Sequence, residues 1–193
     1  VFSGIATETT DSSDLNQNTA YEMKWTSKRK DDGFQHSNTS NAEQITLEEI
    51  GNYLVFVNIP LGSNSQRTNI EGTILLDDVM VDGGKFEQGY IRNYEDHSGS
   101  SIHWTGVVST GSVNEVLSIS VEQEANSGTV TVDGEKATIF IQKLANEPVF
   151  ISKGSSLSTG TDWNPSTKTS IQWTDDVLTN NSIFSHSPSS NSH

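Results

Sequence analysis

Asn93-Tyr94-Glu95-Asp96-His97, followed by His103, is the richest cluster of titratable side chains in the sequence, with two carboxylates and two imidazoles within a dozen residues. Such groups exchange protons as general acid and base when a fold converges them on one reacting atom. Imidazoles also ligate zinc, but His97 and His103, a loop residue and a strand residue, fit no standard zinc spacing. A solvated loop accounts for the segment without chemistry.

His36 and His186 are each preceded at two positions by an aromatic and flanked by serine. One imidazole per site makes a poor metal centre, so the expected role is packing or hydrogen bonding at the rim of a fold. Asp31-Asp32-Gly33, Asp77-Asp78 and Asp82 offer oxygen ligands, yet none has the alternating spacing of a calcium loop. Turn chemistry explains them more simply. Trp25, Trp104, Trp163 and Trp173 could build a sugar-stacking platform, although core or interface packing is the simpler role. No glycine-rich phosphate loop follows a strand. The sequence therefore predicts no enzyme and no cofactor; calcium stays open without a motif behind it.

Acids outnumber bases 25 to 11, for a net charge of -14. Nucleic-acid binding relies on Lys and Arg displacing counterions, so that partner is excluded, and an anionic membrane surface is disfavoured for the same reason. There is no cysteine, which removes disulfides, thiolate metal sites and cysteine nucleophiles. No apolar run approaches a membrane span of about 18 residues, and no signal-peptide core is present. Val1 in place of Met points to processing or excision. Asn38-Thr39-Ser40 and Asn180-Asn181-Ser182 fit the glycosylation sequon, which an Asn- and Ser-rich chain also produces by chance.

The sequence repeats its own beginning. Val1-Phe2, Asp14, Asn16, Thr19 and Trp25-Thr26 recur as Val149-Phe150, Asp162, Asn164, Thr167 and Trp173-Thr174, all at an offset of 148. After a two-residue insertion, Phe34, His36, Ser37, Ser40 and Asn41 recur as Phe184, His186, Ser187, Ser190 and Asn191. An ordered series that includes a tryptophan marks a duplicated unit. The expected organisation is one complete unit over residues 1–147 and the truncated opening of a second over 148–193. A piece that short cannot enclose a core alone.

The elements that would carry these residues read as strands. With a hydrophobic fraction of 32% and many Ser, Thr, Asn and Gly residues, the composition suits short strands joined by polar turns. Ile45 to Leu47 is a short run. Asn52 to Ile59 is apolar on both faces, as for a central strand, and Pro60 and Gly62 are expected to end it. Ile70 to Leu76 and Val79 to Val81 flank a hairpin turn at Asp77-Asp78, and Asp82-Gly83-Gly84 predicts a second turn before Phe86 to Arg92. Ile102 to Val108, Leu117 to Val121, Thr129 to Val132 and Ala137 to Leu144 complete the set, with Tyr21 to Thr26 ahead of it. No segment makes a convincing amphipathic helix.

Gly51-Asn52-Tyr53-Leu54-Val55-Phe56 resembles the glycine, tyrosine, phenylalanine signature of the globular heads in the complement C1q and tumour necrosis factor superfamily. Gln44-Ile45-Thr46-Leu47, Glu115-Val116-Leu117-Ser118-Ile119 and Ala137 to Leu144 resemble flanking strands of that family, so the resemblance spans about residues 20 to 145. It implies an all-β fold, a ten-strand jelly-roll sandwich, commonly trimeric, which acts by binding and carries no catalytic residues. No Gly-X-Y stalk precedes the head, so multivalency would have to come from tandem repetition.

The function this predicts is an extracellular or cell-surface structural module that associates with itself as a homo-oligomer or filament. The second opening would dock on a neighbouring sandwich by strand addition, with Ile171, Trp173, Ile183 and Phe184 as its contacts. The alternative is a discrete head that binds a glycan or protein ligand.

Overall fold

The alternation of apolar and polar residues sets the architecture: wherever it runs with period two, the chain is a strand with one face in a core. The computed structural model describes residues 1–6, 15, 19–63, 68–87, 91, 99–125, 130–133, 136–145, 150–153 and 175–179. Two compact units are present, Val1–Ala145 and Asn146–His193.

In the first unit the strands are β1 (Phe2–Ile5), β2 (Tyr21–Glu22), β3 (Ser27–Asp31), β4 (Phe34–Gln35), β5 (Ile45–Leu47), β6 (Gly51–Ser63), β7 (Asn69–Leu76), β8 (Val79–Glu87), β9 (Gly99–Thr110), β10 (Glu115–Ala125), β11 (Val130–Val132) and β12 (Thr138–Lys143). They form two antiparallel sheets of six strands. In the first, β9 lies along one edge of β6; β12 and β11 follow each other along the other edge, and β1 and β3 continue outward from β12. In the second sheet the order is β4-β5-β10-β7-β8, with β2 also on β10. The chain passes from sheet to sheet at β6 to β7, β8 to β9, β9 to β10 and β10 to β11, which is the winding of a jelly-roll sandwich.

The core fills the space between the sheets. In β6, Tyr53, Val55, Val57, Ile59 and Leu61 point inward and are buried, opposite Ile74, Leu117 and Ile119 of the second sheet. Ile139 and Ile141 of β12, Ile102 and Val108 of β9, and Phe2 of β1 close the same core.

Three local expectations need correction. Pro60 does not end β6, which runs on to Ser63. A strand residue directs its N–H and C=O to the same side, and the Pro60 carbonyl accepts from Asp133 N in the gap between the paired stretches of β12 and β11. The donor that proline lacks therefore falls where no ladder bond is made. Asp82-Gly83-Gly84 is a bulge inside β8, not a turn: the register with β7 jumps between Thr73↔Lys85 and Leu75↔Met80, and Gly83 takes a φ of 70°. Tyr21 to Thr26 yields only the two-residue β2, so Trp25 lies on the crossing between sheets rather than on a strand. Of the expected strand Phe86 to Arg92, Phe86 and Glu87 end β8 and Ile91 bridges Thr68, while residues 88–90 and 92 lie outside the described residues. By contrast, Asp77 and Asp78, at φ 48° and 62°, form the expected two-residue hairpin turn.

In the second unit, β13 (Phe150–Lys153) and β14 (Asp175–Thr179) pair antiparallel. Their register is Phe150↔Thr179, Ile151↔Leu178, Ser152↔Asp176 and Lys153↔Asp175, with an irregularity between Ile151 and Ser152. In the first unit β1 pairs β3 as Phe2↔Asp31, Ser3↔Lys30, Gly4↔Lys28 and Ile5↔Ser27, with its irregularity between Ser3 and Gly4. Shifted by 148 residues, the two pairings coincide at every position, including the bulge.

Candidate self-association surface

β1 and β3 form one end of the first sheet, and the local sequence explains how they are held. Phe2 is fully buried and packs on Phe34 at 5.9 Å between ring centroids and on His36 at 5.2 Å, edge to face. His36 Nδ1 lies 2.8 Å from the Gln44 carbonyl oxygen and Nε2 lies 2.7 Å from that of Trp25. A neutral ring donates to one of these carbonyls at a time. His36 thus fastens the crossing at Trp25 to the segment before β5, the rim role its sequence setting predicts. Trp25 is fully buried, and its Nε1 has no hydrogen-bond partner among the described residues.

Among the described residues β3 is the outermost strand of the first sheet, and β1 is its one strand partner. Its sequence, Ser27-Lys28-Arg29-Lys30-Asp31, exposes three consecutive cations. Lys28 pairs with Asp31, and Lys30 pairs with Asp32 at 3.0 Å. The hydrogen bond and charge of Lys30 hold the Asp32 carboxyl below its usual pKa. Arg29 enters no ion pair among the described residues.

The outward face of the same sheet is unexpectedly apolar at its centre. In β6, Phe56 alternates with the buried Val55 and Val57, so its ring points away from the core and is 41% exposed. Across the register pair Phe56↔Phe140 the two rings meet at 5.9 Å, tilted by 58°. A groove of about 370 Å³ adjoins them, lined among others by Ser3, Arg29, His103 and Thr105. The apolar outer positions of β6, read from sequence as buried on both faces, are thus a surface feature of this unit.

The other groups singled out in sequence are accounted for locally. Asp77 Oδ1 accepts from Val116 N at 2.8 Å, and the Glu115 carboxylate accepts from Gly111 N and Ser112 N at 3.1 and 2.8 Å. Among the described residues, no group of three or more His, Cys, Asp or Glu could hold a metal ion, and no helix is long and apolar enough to cross a membrane. His103 is exposed on β9. Its sequence neighbours Asn93 to His97 lie outside the described residues, as do the predicted contacts Ile171, Trp173, Ile183 and Phe184, and also His186. Sequence reading missed the β1–β3 edge altogether, because every position of β3 is polar.

By its winding, the first unit belongs to the class of antiparallel jelly-roll sandwiches. No family profile matches the chain, and no curated protein matches it. Solved structures similar to it include the globular domain of zebrafish complement 1qA, with 15% identity and a TM-score of 0.47 over 76% of this chain and 98% of that one. Murine APRIL at pH 8.0 aligns with 10% identity and a TM-score of 0.44 over 74% of this chain and 97% of that one. The Eiger TNF of S. frugiperda aligns with 14% identity and a TM-score of 0.41 over 69% and 91%.

Proposed function

We propose that the chain is a non-enzymatic structural module of tandem sandwich units that associates with itself outside the cell or at its surface. The observation that carries this reading is the antiparallel pair β13–β14, which reproduces the strand pairing and bulge of β1–β3 at a constant offset of 148 residues. Sequence identity alone would preserve side chains; a shared register and a shared bulge support duplication of a whole folded element. A contact between unlike units of successive copies is heterologous, and where its rotation does not close into a ring it builds filaments. Several of the described acids and bases support a structural role, because they are engaged in ion pairs and turn hydrogen bonds such as Lys85–Glu71 and Asp77 to Val116.

The test compares the full chain with residues 1–148 by light scattering and sedimentation over a range of concentrations. The full chain is expected to assemble and the shortened one to stay small. Equal assembly of both overturns the reading.

The aromatic pair Phe56 and Phe140, beside the groove that Arg29 and His103 border, favours one second reading: a head that binds a glycan or protein ligand on this face. A glycan array probed with the isolated first unit and with its Phe140→Ala variant separates the two. Specific binding that this substitution abolishes would select the ligand-binding head.

A further inference from the structure

The two equivalent strand pairs differ in charge. Position by position at the offset of 148, Ser27-Lys28-Arg29-Lys30-Asp31 of β3 is replaced by Asp175-Asp176-Val177-Leu178-Thr179 of β14. The formal charge of the strand goes from +2 to -2 on the same backbone pairing. In a chain with 11 basic residues and a net charge of -14, three consecutive cations on one strand are a pronounced concentration.

Each strand is also an edge. β3 ends its sheet, and β14 has β13 as its one strand partner among the described residues. An edge strand presents unpaired N–H and C=O groups that can accept another strand. Lysines on an edge are a known defence against that, and the simplest account of Lys28 and Lys30 stops there. It does not explain why the equivalent strand carries the opposite sign. Charge repulsion opposes β3 adding to β3 and β14 adding to β14, and it leaves one attractive combination.

We infer that β14 of one molecule adds to the free edge of β3 on a second copy of this chain, selected by the opposite charges of the two strands. This rests on the self-association proposed above and names its contact. Exchange of one strand pair for the other on β12 is the competing arrangement. A Cβ at Gly4 would lie 3.1 Å from Ile139 Cγ2 of β12, and the equivalent residue of β13 is Ser152. Replacement at β1 therefore asks Ile139 to give by a few tenths of an ångström, a shift that edge addition does not need.

The experiment uses the full chain and sedimentation velocity. Lys28→Glu/Arg29→Glu/Lys30→Glu and Asp175→Lys/Asp176→Lys are each expected to weaken association at least about tenfold, and their combination is expected to restore it. Wild-type association is expected to fall by about tenfold or more between roughly 10 mM and 500 mM salt, as the screening length shrinks. Circular dichroism of each variant checks folding, and the salt series needs no variant. Failure of the combined variant to regain association, or a wild type indifferent to salt, overturns the charge-selected contact. If both single-sign variants assemble normally while removal of residues 149–193 leaves a monomer, the contact is wrong and self-association stands. If that removal also has no effect, self-association itself falls.

Discussion

The indole Nε1 of Trp104, on β9, donates to the carbonyl oxygen of Gly83 at 2.9 Å and so ties one sheet to the bulge in β8 of the other. The bulge turns that carbonyl out of the β7 ladder, where the register is interrupted. The ring lies over Gly106, where a Cβ would come within 2.4 Å of it. Trp104→Phe keeps most of the apolar contact and removes the donor, so it is expected to lower stability by about 1 kcal/mol. Gly106→Ala is expected to cost more, because the indole must leave its seat. Denaturant unfolding of both variants checks the order.

Lys85 reaches the Glu71 carboxylate at 2.6 Å, and the Glu71 side chain is only 9% exposed. Lys85→Met keeps an aliphatic stem and strands a nearly buried anion, with an expected loss of about 1–2 kcal/mol. Adding Glu71→Gln should recover part of that loss. A double-mutant cycle by denaturant unfolding measures the coupling directly.

Burial, with Glu43 and Asp78 nearby, raises the Glu22 pKa above the ordinary carboxylate range. A raised folded-state pKa means that this group favours folding when protonated, below its unfolded pKa, and that the benefit is lost as pH rises through the folded value. Glu22→Gln is therefore expected to raise the melting temperature at pH 7, with the gain shrinking as pH falls toward 4. A melting series over that range shows the trend; a gain that grows on acidification contradicts it.

Tyr53 is buried, and its hydroxyl donates to the Glu49 carbonyl at 2.6 Å. Burial raises its pKa, so the folded state holds the phenolic proton more tightly than the unfolded chain does. Stability from this group is present below the free tyrosine pKa of about 10 and is lost as pH rises through the folded value. Tyr53→Phe should cost about 1 kcal/mol at pH 7. It should also move alkaline unfolding to higher pH, which a base titration followed by circular dichroism records.

The Gly51 to Phe56 stretch was legible because its parts have separate physical jobs. A Cβ at Gly51 would meet Lys143 Cε at 3.0 Å, and Lys143 pairs there with Glu49. Tyr53 closes the same corner through Glu49, and Val55 supplies core. Strands whose apolar residues alternate with polar ones, such as β5, β7, β10 and β12, were equally readable, even though Ser118 and Ser120 of β10 are buried as well. β3 was not, since a sheet edge solvated on both faces leaves no apolar period to detect. The bulge at Gly83 read as a turn because both use a positive φ, and only pairing with β7 and the bond from Trp104 distinguish them. The outward exposure of Phe56 was hidden for a related reason: a run apolar on both faces gives no sign of which face stays uncovered.

The contact proposed between β3 and β14 would also give an assembly a direction. A thread joined through Lys28, Arg29 and Lys30 on one side and β14 on the other would have unlike tips, one presenting a basic strand and one an acidic strand. Subunits arriving at the two tips would meet different receptors, so elongation would run at different speeds at each. A surface that fixes one tip would orient the entire thread.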